Sequence, residues 1–95
     1  GQRSSDALFL VITRPNEAGQ ARLGLAVGIK AAGNAVKRNR IKRLARESFR
    51  HHRHELPPLD VVVNARPAAT TSSSAEIRAS LQSHWDRIVR RCARS

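Results

Sequence analysis

The first hydrophobic run, Ala7-Leu8-Phe9-Leu10-Val11-Ile12-Thr13, is continuous and rich in β-formers, so it predicts a strand. Pro15 to Gln20 reads as a turn by composition. From Arg22 to Ile29 the pattern becomes an alternation. Leu23, Leu25, Val27 and Ile29 point one way, and Gly24, Ala26 and Gly28 point the other. The short turn between these two strands predicts an antiparallel hairpin. The small-residue face has two readings. It allows close approach of the following helix or of a ligand backbone, or it is plain packing, which is the simpler of the two.

Ala31 to Asn34 breaks the second strand and places Asn34 as an N-cap. Ala35 to Arg50 then predicts one helix with two unlike sides. At 100° per residue, Ile41, Leu44, Ala45 and Ser48 fall together, with Phe49 at their edge. Asn39, Arg43, Arg46 and Arg50 fall opposite, flanked by Arg38 and Lys42 on one hand and Arg40 on the other. A loop with Pro57-Pro58 leads into Leu59 to Ala65, whose valines predict a strand buried on both faces, as beside a crossover helix. Ser73-Ser74-Ala75-Glu76 fits a capping box. Ile77, Leu81, Trp85, Ile88 and Cys92 follow at helical spacing, which makes Trp85 core. The order β-β-α-β-α implies a small α/β sandwich with both helices on one sheet, a single domain over residues 1–95.

Charge sharpens this picture. Eighteen Lys and Arg oppose seven Asp and Glu, a formal charge of +11 on 95 residues. Eight of the cations lie between Lys37 and Arg53, with Glu47 the one acid among them. Guanidinium forks match phosphate in two-point contacts, so a polyanion is the first partner to consider. Charge does not distinguish RNA from DNA. A helix-turn-helix DNA reader is disfavoured, because strands flank the basic helix on both sides where such readers follow another helix.

Features for catalysis are missing. No pair of acids is placed to act on one atom, and His51, His52 and His54 read as a solvated helix end without an orienting carboxylate. No Cys or carboxylate cluster completes a metal site around them. No apolar run approaches the roughly 20 residues that span a bilayer. The N-terminus has no signal-peptide pattern. One cysteine, Cys92, excludes an intramolecular disulfide and fits a reducing, cytoplasmic setting.

Lys37-Arg38-Asn39-Arg40-Ile41-Lys42-Arg43, followed by Arg46-Glu47-Ser48-Phe49-Arg50, resembles the signature helix of the bacterial ribonuclease P protein subunit. The resemblance continues upstream through Arg22 to Val27 and Gly33 to Val36. Downstream it runs through His54-Glu55-Leu56-Pro57 to Asp60-Val61-Val62-Val63. It implies a fold similar to the second domain of ribosomal protein S5, an α+β two-layer sandwich with a left-handed βαβ crossover. It implies a partner of a catalytic RNA that removes the 5′ leader of precursor tRNA as an endonuclease, with Mg²⁺ used by the RNA. The chain itself then carries no catalytic residue, no metal and no cofactor. The implied RNA-binding set is Lys30, Asn34, Lys37, Arg38, Asn39, Arg40, Lys42, Arg43, Arg46 and Arg50. A cleft for the single-stranded leader is expected at Phe9, Val11, Gly24, Ala26 and Gly28. The alternative reading is a ribosomal or other structural RNA-binding protein without a role in cleavage.

Two departures from the family pattern stand out. The paired lysines at the end of the second strand read Ile29-Lys30 here, which leaves Lys30 alone in the cationic role. The resemblance also implies a helix and an aromatic-bearing segment upstream of the first strand, and a sequence beginning at Gly1 is expected to lack them. Their absence is expected to expose Leu8 to Ile12 and the side chains of Ile77, Leu81 and Trp85, and so to favour self-association.

Overall fold

The computed structural model describes residues 2–28 and 34–93, the side chain of Ala93 excepted. Its elements are β1 (Gln2–Ser5), β2 (Phe9–Pro15), β3 (Arg22–Ala26), α1 (Ala35–His52), β4 (Leu59–Ala65) and α2 (Ser74–Ala93), with short 3₁₀ turns at Arg53–Glu55 and Pro67–Thr70. One sheet runs in the order β1-β2-β4-β3. β1 and β4 pair antiparallel to β2, and β3 pairs parallel to β4.

The expected β2–β3 hairpin does not form, because β4 lies between the two strands. β4 satisfies both neighbours at once: Val61 stands opposite Thr13 and Leu23, and Val63 opposite Val11 and Leu25. The antiparallel hairpin of the chain is β1–β2 instead. Its turn is held by the Asp6 carboxylate, whose Oδ1 accepts from Leu8 N at 2.9 Å and Phe9 N at 2.8 Å. β1 is polar, so no hydrophobic pattern marks it. β3 is also shorter than its alternation suggested, and Ile29 and Lys30 lie outside the described residues.

Both helices cover one face of the sheet. Phe9, Val11, Leu59, Val61 and Val63 point into that layer and meet Ile41, Leu44, Ala45 and Phe49 from α1 and Ile77, Leu81, Trp85 and Ile88 from α2. Cys92 packs partly buried against the same core. β4 is not buried on both faces, since Val62 is 38% exposed and shares the open face with Asp60 and Asn64. The expected exposure of the last helix is also overturned. Ile77, Leu81 and Trp85 are fully buried, as are Phe9 and Val11, because α2 lies over β1 and β2. The apolar patch on which self-association was to rest is therefore not formed by these side chains.

A buried polar cluster ties the hairpin to α2. His84 is fully buried, with Nδ1 2.7 Å from Ser4 Oγ and Nε2 3.3 Å from Asp6 Oδ2. Ser4 Oγ also accepts from Arg87 Nη1 at 3.1 Å, which joins Arg87 to the cluster. Burial pushes the His84 imidazole below its ordinary 6.5, against the pull of Asp6. Burial also works to raise the Asp6 carboxyl, but hydrogen bonds from Ser80, Phe9 N and Leu8 N outweigh it and hold the group below its ordinary 3.8.

The two shifts fix a sign. As pH falls through 6.5 the unfolded chain takes up a proton on His84 that the folded chain refuses, so stability drops. The Asp6 contribution is present above 3.8 and is lost on further acidification. Thermal melts at about pH 7.5 and about pH 5 should therefore show wild type losing stability in acid, and His84→Gln losing less of it. Equal losses in the two proteins would assign the effect to other groups.

Candidate nucleic-acid interface

α1 is started by Asn34, as its position suggested. Asn34 is extended at φ −161° and ψ 170°, and its side chain accepts from Lys37 N at 2.9 Å. Its carbonyl takes the first helical bond from Arg38 N at 3.1 Å. No acid stands in the first turn, while Arg50, His51 and His52 occupy the last. Cations at a helix C-terminus complement the macrodipole, and cations at the N-terminus oppose it. Lys37, Arg38 and Arg40 thus add to the positive end of the helix, where unsatisfied N–H groups already attract anions.

The rotation of the helix follows its periodicity. Ile41, Leu44, Ala45 and Phe49 are buried. Lys37, Asn39, Arg43, Arg46 and Arg50 are exposed, and Arg38, Arg40 and Lys42 are half-buried at the margins. Among the described residues, none of these cations is held in an ion pair with a carboxylate. Arg40 differs from its neighbours, because its Nη2 donates to Ser72 O at 2.5 Å and so braces α1 against the segment before α2. The Nε atoms of Arg38 and Arg40 are buried without a hydrogen-bond partner. Val36, 79% exposed, lies beside Asn39, Arg40 and Arg43 over a depression of about 480 Å³.

The histidines read as a solvated helix end sit on ordered structure. His51 and His52 line a groove of about 400 Å³ between α1 and α2, and His52 Nδ1 donates to Ser48 O at 2.8 Å. His54 lies in the following 3₁₀ turn.

The cleft residues divide between the two faces of the sheet. Phe9 and Val11 are fully buried under the helices and line no cleft, because their strand positions alternate toward the core. Gly24 and Ala26 lie on the open face, opposite Val62 and Asn64. Gly28 is exposed just beyond β3. The small residues therefore pack against neither helix. A Cβ at Gly24 would meet only Val62 Cγ2, at 3.7 Å. What the sequence reading missed is the rest of this face. Ile12, Arg14, Asp60, Val62 and Asn64 line a depression of about 310 Å³. Arg22 closes one end by a two-point pair with Asp60 at 2.8 and 3.2 Å, and Asn16 Nδ2 adds a third hydrogen bond at 3.0 Å. The Arg22 guanidinium, helped by Asn16, holds the Asp60 carboxyl below the usual carboxylate range. The available signal was the period-2 set Asp60, Val62 and Asn64, hidden by the valine at its centre.

Fold and surface together define a small α+β protein that presents a cationic helix face to solvent. Comparison with known proteins makes the class specific. The model of the ribonuclease P family matches residues 1–89. The chain is 52% identical over 92 residues to the ribonuclease P protein component of Thioalkalivibrio sulfidiphilus, covering 97% of this chain and 77% of that protein. It is 48% identical over 93 residues to the protein component of Methylococcus capsulatus, covering 98% and 73%. The RNase P protein of Staphylococcus aureus superposes with a TM-score of 0.84 at 38% identity, over 93% of this chain and 80% of that one. The Thermotoga maritima RNase P protein, solved with 1-(4-fluorophenyl)-2-thiourea, gives 0.83 at 31% identity, over 93% and 86%. The chain belongs to the ribonuclease P protein family.

The cap makes a separate prediction about the helix. Asn34→Ala should cost about 1 kcal/mol of stability, and Asn34→Asp should retain most of it, because the carboxylate can accept the same Lys37 N–H. Denaturant unfolding reads both, and an Asn34→Ala variant as stable as wild type would show that α1 does not depend on its cap.

Proposed function

We propose that this chain is the protein subunit of a ribonuclease P holoenzyme, acting as one RNA-binding domain that docks on the catalytic RNA through α1 and helps to hold the 5′ leader of precursor tRNA. The observation that carries the reading is the cationic face of α1, which is without carboxylate partners among the described residues and begins at the positive end of the helix dipole. Lys37, Arg43, Arg46 and Arg50 make the phosphate contacts, with Arg38 and Lys42 adding to them from the margins. Asn39 supplies an uncharged amide for hydrogen bonding. Val36 offers the one exposed apolar surface among them, suited to a sugar or base. Arg40 has a double role, because part of its guanidinium is committed to Ser72. Lys30 belongs to the same cationic set by resemblance.

The leader is assigned to the open face of the sheet, over Ile12, Val62, Gly24 and Ala26. Flat apolar surface and low side chains there admit an extended strand, and Arg14 gives it a cation at the rim. Hydrolysis of the phosphodiester is assigned to the RNA with Mg²⁺, and this chain positions the two RNAs. Among the described residues, no three His, Cys, Asp or Glu side chains gather closely enough to hold an ion. Among the described residues, no helix is long and apolar enough to cross a membrane.

The deciding experiment is stimulation of precursor-tRNA cleavage by a bacterial catalytic RNA at low Mg²⁺, where a protein subunit accelerates the reaction and a merely structural RNA binder does not. The variant Arg38→Gln/Arg43→Gln/Arg46→Gln should bind the catalytic RNA more weakly. The slope of log K against log salt should fall by about 0.7–0.9 for each phosphate no longer neutralised. An unchanged slope would remove α1 as the docking surface. Changing His51, His52 and His54 to Ala should leave single-turnover cleavage within a few-fold of wild type, whereas loss of a general acid or base costs about 10²–10⁴-fold.

A further inference from the structure

Three arginines converge on β1 from elsewhere in the chain. Arg91 Nη1 donates to Arg3 O at 2.5 Å. Arg87 Nη1 donates to Ser4 Oγ at 3.1 Å and Ser5 O at 3.3 Å. Arg66 Nη2 donates to Ser5 Oγ at 2.7 Å. Their partners occupy three successive residues of one strand, a span of about 7 Å. A guanidinium has five N–H donors, and each of these uses one nitrogen here. Arg66 and Arg91 are exposed and Arg87 is half-buried, so the remaining donors face outward.

Two acids stand close in the chain to these partners, and neither is paired with the group. Asp6 has its oxygens occupied by Leu8 N, Phe9 N and Ser80, with His84 beside it, and Asp86 accepts from Gln82. Among the described residues, none of the three arginines is in an ion pair. Gathering three guanidinium groups on one short strand of a chain at +11 costs repulsion that a solvated surface would relieve by spreading them. The bonds to β1 hold them together instead, already ordered for forked contacts.

This edge is separate from the cationic face of α1. α2 lies over β1 and β2, whereas α1 lies toward β3, so α2 stands between the two surfaces. One helix is about 10–12 Å across with its side chains, more than the roughly 8 Å over which salt screens charge at physiological ionic strength. The two surfaces therefore attract phosphate independently, on two sides of a domain whose extents are 38 × 22 × 21 Å.

We propose that Arg66, Arg87 and Arg91 form a second RNA-contact surface at the β1 edge, which grips the phosphate backbone of a further segment of the catalytic RNA while α1 grips the first. The proposal rests on the RNA-docking reading of α1. It adds that the protein is seated between two segments of one folded RNA.

The test compares four proteins, each of the whole 95-residue chain, in catalytic-RNA binding across salt: wild type, the α1 variant above, Arg66→Gln/Arg87→Gln/Arg91→Gln, and the two sets combined. The β1-edge variant should lower the salt slope by about 2–3, and the combined variant by the sum of the two separate decreases. Arg66→Lys/Arg87→Lys/Arg91→Lys should keep most of the slope even where it melts earlier, which separates charge from bracing. Should the glutamine triple fail to fold, Arg91→Gln alone carries the test with a fall of about 0.7–0.9. A β1-edge variant with the wild-type slope would overturn the proposal while leaving the α1 reading intact. A weakening confined to precursor tRNA alone would also overturn it. If the α1 variant keeps its slope too, the docking reading itself has failed.

Discussion

The packing of Phe49 and Ser48 against Trp85 sets the direction in which this protein presents its charge. Trp85 Nε1 donates to Ser48 Oγ at 2.8 Å, and its ring meets Phe49 edge-on at 6.0 Å. Two points of attachment fix both the height of α1 and its rotation. Rotation matters because one residue of slip turns a helix by about 100°, enough to carry Arg43 and Arg46 toward the sheet and Leu44 into solvent. A helix this cationic has little reason to form alone, since its charges repel and its first turn opposes the dipole. Burial of Ile41, Leu44, Ala45 and Phe49 supplies what propensity and electrostatics withhold. Each large apolar side chain contributes about 1.5–3 kcal/mol on burial, against a few tenths for each like-charge pair along the helix. Packing wins, and the repulsion remains on the surface as a standing affinity for anions.

The helices were legible in the sequence because everything that defines them is local. Asn34 and the reciprocal Ser73–Glu76 box lie within four residues of the groups they satisfy. In the box, Ser73 N donates to Glu76 Oε1 at 3.0 Å and Glu76 N to Ser73 Oγ at 3.1 Å. The apolar stripe of α1 repeats within two turns, so its burial and the exposure of Asn39, Arg43, Arg46 and Arg50 follow from angle alone. The sheet was legible only in part, because pairing depends on residues far apart in the chain. The short turn after β2 suggested a hairpin, but a strand that can pair on both edges displaces a merely sequential neighbour. β4 does so with Val61 and Val63. β1 left no trace because it buries one polar side chain, Ser4, and is held by Asp6, His84 and three arginines.

The same limit explains the divided cleft. Phe9, Val11, Gly24 and Ala26 all lie in strands, but the sequence does not say which face of each strand the helices cover. That choice is made by register. Val11 stands opposite Val63, and both point to the core, while Gly24 stands opposite Val62, and both point away. Family resemblance identified the protein class, yet it did not replace the geometric step of assigning residues to faces.

Insertion of β4 has a further consequence for how charge is distributed. Because β4 takes the centre, β1 and β3 become the two edges, and each helix settles toward one of them. The cationic side of α1 is carried toward the β3 edge, and the arginines around β1 gather at the other. A two-stranded hairpin of β2 and β3 would have placed the basic helix over the middle of a smaller sheet and left no second edge of this kind. An unpaired edge strand ordinarily exposes carbonyls that invite another chain. Here Arg87 and Arg91 occupy the carbonyls of Ser5 and Arg3, so one set of bonds shields β1 and orders its guanidinium groups. The positive charge gathered at this edge also opposes association between copies of this chain.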